Sequence, residues 1–157
     1  MKQCTKNLFL SVILISGLGF ILAGNVRAQT FTTLYSFTAI PGPLYTNIDG
    51  AQPEAGLILS SNTLYGTANQ GGSSGKGTVF AINTDGTGLA NLHNFTAFGD
   101  LNSNTDGATP YAGLILSGNT LYGTAASGGS SGAGVVFKIN VDGSGFTNLH
   151  SFTELSP

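Results

Sequence analysis

Apolar positions along the chain come in short bursts bounded by Gly, Asn, Asp and Ser, and within the bursts the alternation has a period of two, that of β-strands. Leu57-Ile58-Leu59 and Leu114-Ile115-Leu116 are continuous apolar runs, which predicts strands over Gly56 to Ser60 and Gly113 to Ser117 covered on both faces and innermost in their sheets. Ser61-Asn62 and Gly118-Asn119 then turn the chain into strands predicted over Thr63 to Ala68 and Thr120 to Ala125. Next come Thr78 to Asn83 and Val135 to Asn140, where Phe80 and Ile82 (Phe137 and Ile139) share one face while Ala81 and Lys138 take the other. Asp85-Gly86 and Asp142-Gly143 lead into the last strands, Leu89 to Phe95 and Phe146 to Phe152.

The bursts are written twice. At an offset of 57 residues Asp49 matches Asp106, Leu64-Tyr65-Gly66-Thr67 matches Leu121 to Thr124, Gly71 to Gly75 matches Gly128 to Gly132, and Phe80 matches Phe137. A repeat of this length built from four antiparallel strands is the signature of a propeller blade. Phe31 to Thr38 matches the end of both copies and reads as an orphan copy of the last strand. With no helical period after residue 29 and too much Gly for a helix interior, the expected fold is all-β: two four-stranded antiparallel propeller-like blades plus an orphan N-terminal strand, a partial β-propeller. A β-sandwich is the alternative, and a solenoid is a further rival.

Lys2 and Lys6, the mostly apolar run Leu8 to Ala23 and the small residues of Val26-Arg27-Ala28 make residues 1–28 a secretory signal peptide in composition, too short in its apolar part for a membrane span. The expected organisation is therefore 1–28 signal, 29–48 orphan strand and linker, 49–105 repeat 1, and 106–157 repeat 2. Cleavage would remove Cys4, the single cysteine, and with it any disulfide, Cys-based zinc site or Cys nucleophile. It would also leave Lys76 and Lys138 against seven acidic residues, a net charge of 2 − 7 = −5, which excludes the basic stripe that nucleic acid needs.

The strings Ala-Gly-Leu-Ile-Leu-Ser, Leu-Tyr-Gly-Thr, Gly-Gly-Ser-Ser-Gly-x-Gly, Val-Phe, Asp-Gly and Leu-His-x-Phe-Thr resemble the GloVer tandem repeat of bacterial "choice-of-anchor" proteins, over nearly all of residues 31–153. The resemblance implies an exported, repeat-built protein, usually with more repeats and an anchoring segment. It brings no catalytic residues.

Candidate chemistry is sparse. Gly71 to Thr78 superficially resembles a phosphate loop, but Gln70 and Gly77 stand where the pattern needs Gly and Ser or Thr, and a strand follows instead of a helix. It reads as a flexible loop between the second and third strands. His93 and His150 recur at a slot that is Tyr35 in the orphan copy, which points to aromatic packing over metal binding. Asp100, Asn102, Asn104 and Asp106 place oxygen donors at alternate positions, a weak calcium pattern that lacks the Gly and the terminal carboxylate of an EF-hand loop. Asp49, Glu54, Asp85, Asp106 and Asp142 lie mostly before Gly or Pro, where turn chemistry accounts for them. Nothing in the pattern requires an enzyme or a cofactor.

The expected function is an exported, non-catalytic repeat protein forming a propeller-like scaffold or binding surface in the periplasm, at the cell surface or outside the cell. Further repeats or other copies of the chain would be its partners, and no membrane span would remain after cleavage. A carbohydrate-binding or carbohydrate-active propeller is the alternative, resting on Tyr65, Tyr122, Asn62 and Asn119 as groups that could stack on or hydrogen-bond to a glycan.

Overall fold

A computed structural model describes residues 30–153; the leader expected over 1–28 and the last residues expected in repeat 2, 154–157, lie outside the described residues. Among the described residues eight strands form two separate antiparallel sheets. The first is β1 (Ile58–Ser60), β2 (Thr63–Ala68), β3 (Thr78–Asn83) and β4 (Ala90–Asn94), hydrogen-bonded in chain order. The second is β5 (Ile115–Ser117), β6 (Thr120–Ala125), β7 (Val135–Asn140) and β8 (Thr147–Ser151), in the same order. A 3-10 turn, Asp100–Asn102, interrupts the link between them. The protein is all-β, with two four-stranded meanders as expected, and no described helix is long and apolar enough to cross a membrane.

Register explains which residues share a face. Gly66 lies opposite Phe80 and Leu64 opposite Ile82, so these four form the front of sheet 1; Tyr65 opposite Ala81 and Thr67 opposite Val79 form its back. Sheet 2 repeats this, with Leu121, Gly123, Phe137 and Ile139 in front and Tyr122, Thr124, Val136 and Lys138 behind. The glycine of Leu-Tyr-Gly-Thr is there because the Phe ring crosses it: a Cβ on Gly123 would stand 2.6 Å from Phe137 Cζ and 2.8 Å from Leu114 Cδ2.

The larger core joins the back of sheet 1, through Tyr65, Val79 and Ala81, to the front of sheet 2, through Leu121, Val135, Phe137 and Ile139, with Phe95 enclosed between them. A two-fold sandwich would bury equivalent faces against each other. Back-to-front packing instead leaves one face free for a further unit, the order expected of successive blades. Thr67 Oγ1 donates to Ala112 O at 3.0 Å and the Thr109 amide to Lys76 O at 2.9 Å across the same junction.

Two expectations need correction. Phe31 to Thr38 is not a strand: a last strand pairs with a third strand, and among the described residues no third strand precedes this segment. Its Tyr35 and Phe37 nevertheless pack on Phe80, Ile82 and Ala68, as the end of a preceding unit would. The strands β1 and β5 are not covered on both faces either. Each is a three-residue edge strand, and Leu57, Leu59 and Ile115 are exposed because no neighbour lies against them. Phe80 and Phe137, at 3% and 0% exposure, are core residues on the expected face.

Candidate functional site

The polar residues that both copies share converge at the junction between units. In the loop Asn104-Thr105-Asp106-Gly107, Asn104 Oδ1 accepts the amides of Gly107 and Gly129, each at 2.9 Å. Its Nδ2 donates to Gly107 O at 2.7 Å and to Thr96 O at 3.0 Å. Gly107 holds φ at +90°, and a Cβ there would stand 2.6 Å from Val135 Cγ2, so the loop closes only with glycine. The closed loop points Asp106 at the end of the preceding unit. Thr96 Oγ1 donates to Oδ1 at 2.5 Å, the Thr96 amide to Oδ2 at 3.0 Å, and His93 Nε2 lies 2.8 Å from Oδ2.

Aromatic packing completes this clasp. The His93 ring stacks on Phe146, with centroids 3.7 Å apart and planes 9° apart, and buried Phe95 meets Phe137 edge-on at 5.5 Å. The ladder between β3 and β4 shifts at Val79/Phe80, so that Val79 pairs with His93 but Phe80 with Asn91, leaving Leu92 as the extra residue of a bulge. The bulge bends the strand end out to the next unit. Beneath Leu92 sits the Asp142-Gly143 turn, where a Cβ on Gly143 would be 3.2 Å from Leu92 O.

The N-terminal segment makes the same clasp on sheet 1 without being a strand. Tyr35 Oη and the Thr38 amide donate to Asp49 Oδ2 at 2.7 and 2.9 Å, Thr38 Oγ1 donates to Oδ1 at 2.5 Å, and Asn47 Nδ2 donates to Thr38 O at 3.0 Å. Phe37 meets Phe80 edge-on at 5.3 Å. Burial would raise the Asp49 carboxyl, but hydrogen bonds from the Thr38 hydroxyl, Tyr35 and the Thr38 amide outweigh it and hold it below the ordinary value. Asp106 follows the same rule: burial pushes it up, and hydrogen bonds from His93 and Thr96 bring it down further. The bond to Asp49 in turn raises the Tyr35 phenol.

The residues singled out for calcium separate into two groups. Asn104 and Asp106 belong to the clasp, whereas Asp100 and Asn102 lie exposed on the 3-10 turn. Among the described residues no group of three or more His, Cys, Asp and Glu side chains is placed to hold a metal ion. The Gly-rich loop does connect β2 to β3, and it is tied by the Gly72 amide to Asn47 Oδ1 at 2.8 Å; Lys76 in it lies over the Phe98 ring at 4.1 Å. His93 packs aromatically as expected and also bonds to Asp106; His150 is exposed. Of the glycan candidates, Tyr65 is buried in the core and Asn62 Oδ1 accepts from Thr84 Oγ1 at 2.8 Å, while Tyr122 is half-buried and Asn119 exposed.

Sequence reasoning missed Thr38, Thr96 and Asn47, placed Asn104 and Asp106 in a calcium pattern in place of a junction, and gave Asp49 to a turn alone. A signal was present: Leu-(Tyr/His)-x-Phe-Thr is followed 10 or 11 residues after its Thr by the Asp of Asn-x-Asp-Gly, and Tyr and His share the ability to donate to a carboxylate.

The fold and the clasp define a tandem-repeat all-β protein in which the end of the first unit is held by the loop that opens the second. The chain belongs to the Gloeobacter/Verrucomicrobia repeat family, whose model matches residues 15–156. No curated protein and no solved structure matches it.

Proposed function

We propose that the protein is an exported, non-catalytic repeat protein whose stacked sheets act as a scaffold or binding surface at the cell envelope or outside the cell. The observation that carries this reading is that Asp106 and His93, acid and base groups at repeated positions, are bound into the junction between the repeats, and Asp49 into the contact with the N-terminal segment. Their chemistry is that of a fastener, and it supports a structural role for the repeat. Export is supported by the leader pattern of residues 1–28. Producing the full chain in a bacterial host and sequencing the N-terminus of the fractionated protein tests it; a chain recovered only in the cytoplasm with Lys2 and Lys6 intact would overturn export. The scaffold reading would fall to glycan or ester turnover that vanishes on a single substitution away from the clasps. A carbohydrate-binding role keeps Tyr122 as its aromatic platform, and a glycan array compared between the wild type and Tyr122→Ala tests that second reading.

A further inference from the structure

Three of the clasp sequences are present, but only two are engaged. Tyr35 to Thr38 holds Asp49 and His93 to Thr96 holds Asp106, whereas His150 to Thr153 lies at the end of β8 with no carboxylate of the described residues against it. Phe95 is fully buried at its junction, and its counterpart Phe152 is 43% exposed. Leu92 is packed against the core while Leu149 is exposed. The back of sheet 2 is uncovered in the same way: Tyr122, Thr124 and Val136 are open to solvent to differing degrees, though Tyr65, Thr67 and Val79 at the matched positions are buried.

What covers such a face is visible within the chain: the front of a unit, with its Phe and its Asn-x-Asp-Gly loop. Sheet 1 has that front incompletely covered. Leu57 is 49% exposed where Leu114 is 7%, and the segment lying on this front makes no strand ladder. The open back of sheet 2 and the front of sheet 1, closed only by the N-terminal segment, are therefore the two halves of the junction seen between the repeats.

Building on the reading of the chain as a repeat scaffold, we propose that the back of sheet 2 docks on the front of sheet 1 of a second copy of the chain, with His150, Phe152 and Thr153 taking the place of Tyr35, Phe37 and Thr38 at Asp49. Such contacts are head-to-tail, so they extend into rings or filaments. The N-terminal segment is then a plug that competes for the same carboxylate. Lys138 stands where Ala81 is buried in the first junction, and its stem can lie along the interface with the ammonium at the edge.

Sedimentation of the purified full chain over a range of concentrations tests the proposal. Concentration-dependent association is expected, absent in Phe152→Ala, which loses the ring that enters the second copy, and in Asp49→Asn, which loses the charge that would receive His150 and Thr153. Mixed in equal amounts, the two variants should form a heterodimer through their intact halves and nothing larger. Tyr35→Phe weakens only the plug and should tighten association about tenfold, the worth of one hydrogen bond to a charged group. A wild type that stays monomeric at every concentration, or association that persists undiminished in Phe152→Ala, would overturn the proposal. An exported monomer would refute it and leave the proposed function standing; a self-associating chain kept in the cytoplasm would do the reverse.

Discussion

The two repeats carry nearly the same residues at matched positions and yet live in different surroundings. Tyr65, Thr67 and Val79 are buried because the front of sheet 2 lies on them; Tyr122, Thr124 and Val136, on an equivalent strand pair with an equivalent register, face outward. The fronts differ in the opposite sense. Leu121 and Leu114 are enclosed by sheet 1, while Leu64 has only the N-terminal segment for cover and Leu57 is exposed. Each sheet is thus set by its own sequence, and the burial of each face is set by the neighbour. A repeat of this kind cannot cover itself, as is usual where single units are too thin to enclose a core.

The sharpest way to break this comparison is to remove the same ring from both clasps. Phe95→Ala empties a buried site between the sheets and should cost about 3–5 kcal/mol in urea unfolding. Phe152→Ala, at a half-exposed site, should change the stability of the isolated chain by no more than about 0.5 kcal/mol. Equal losses would mean that the two clasps have the same surroundings.

Asp106→Asn comes next. It removes a charge that accepts three hydrogen bonds and should cost about 1.5–3 kcal/mol, with Asp142→Asn, in an exposed turn, as the nearly silent control. Gly123→Ala should cost about 1–3 kcal/mol by forcing Phe137 off its strand, and Gly118→Ala, with nothing within 4 Å of the added Cβ, should cost less in the same unfolding series. Gly118 has a positive φ of 58°, so its own penalty comes from backbone strain alone.

The smallest expected effect is with pH. Asp49 and Asp106 are both held below the ordinary carboxyl value in the folded protein, so the unfolded chain takes up protons first. Their contribution is complete above the unfolded pKa of about 3.9 and is lost as pH falls through the lower folded values. The melting temperature should therefore be level from neutral pH down to about 5 and drop below about 4, with a shallower drop in Asp106→Asn. An unchanged drop in that variant would assign the acid sensitivity to other carboxyls.

Much of the fold could be read from the residues. The bounds of β2, β3, β6 and β7 follow from alternation and from the Gly and Asn turns beside them, because these central strands carry a one-face-in pattern that only one register satisfies. The edge strands were harder. Leu57-Ile58-Leu59 looks like a strand covered on both sides, yet apolar content does not say whether a neighbour is there to cover it. Residues 31–38 carry a strand's sequence and form no strand, since a ladder needs a partner as well as a pattern.

The same limit governed the clasp. Legible in the residues alone were the two four-stranded units and the face on which Phe80 and Phe137 lie. Only the tertiary structure decided that Asp106 is a junction residue as well as a turn residue, that Tyr35 and His93 act as equivalent donors, and that His150 and Phe152 stand open. The reason is physical: strand patterns and turns are written over neighbouring residues, whereas a hydrogen bond from His93 to Asp106 depends on where two separately folded units come to rest.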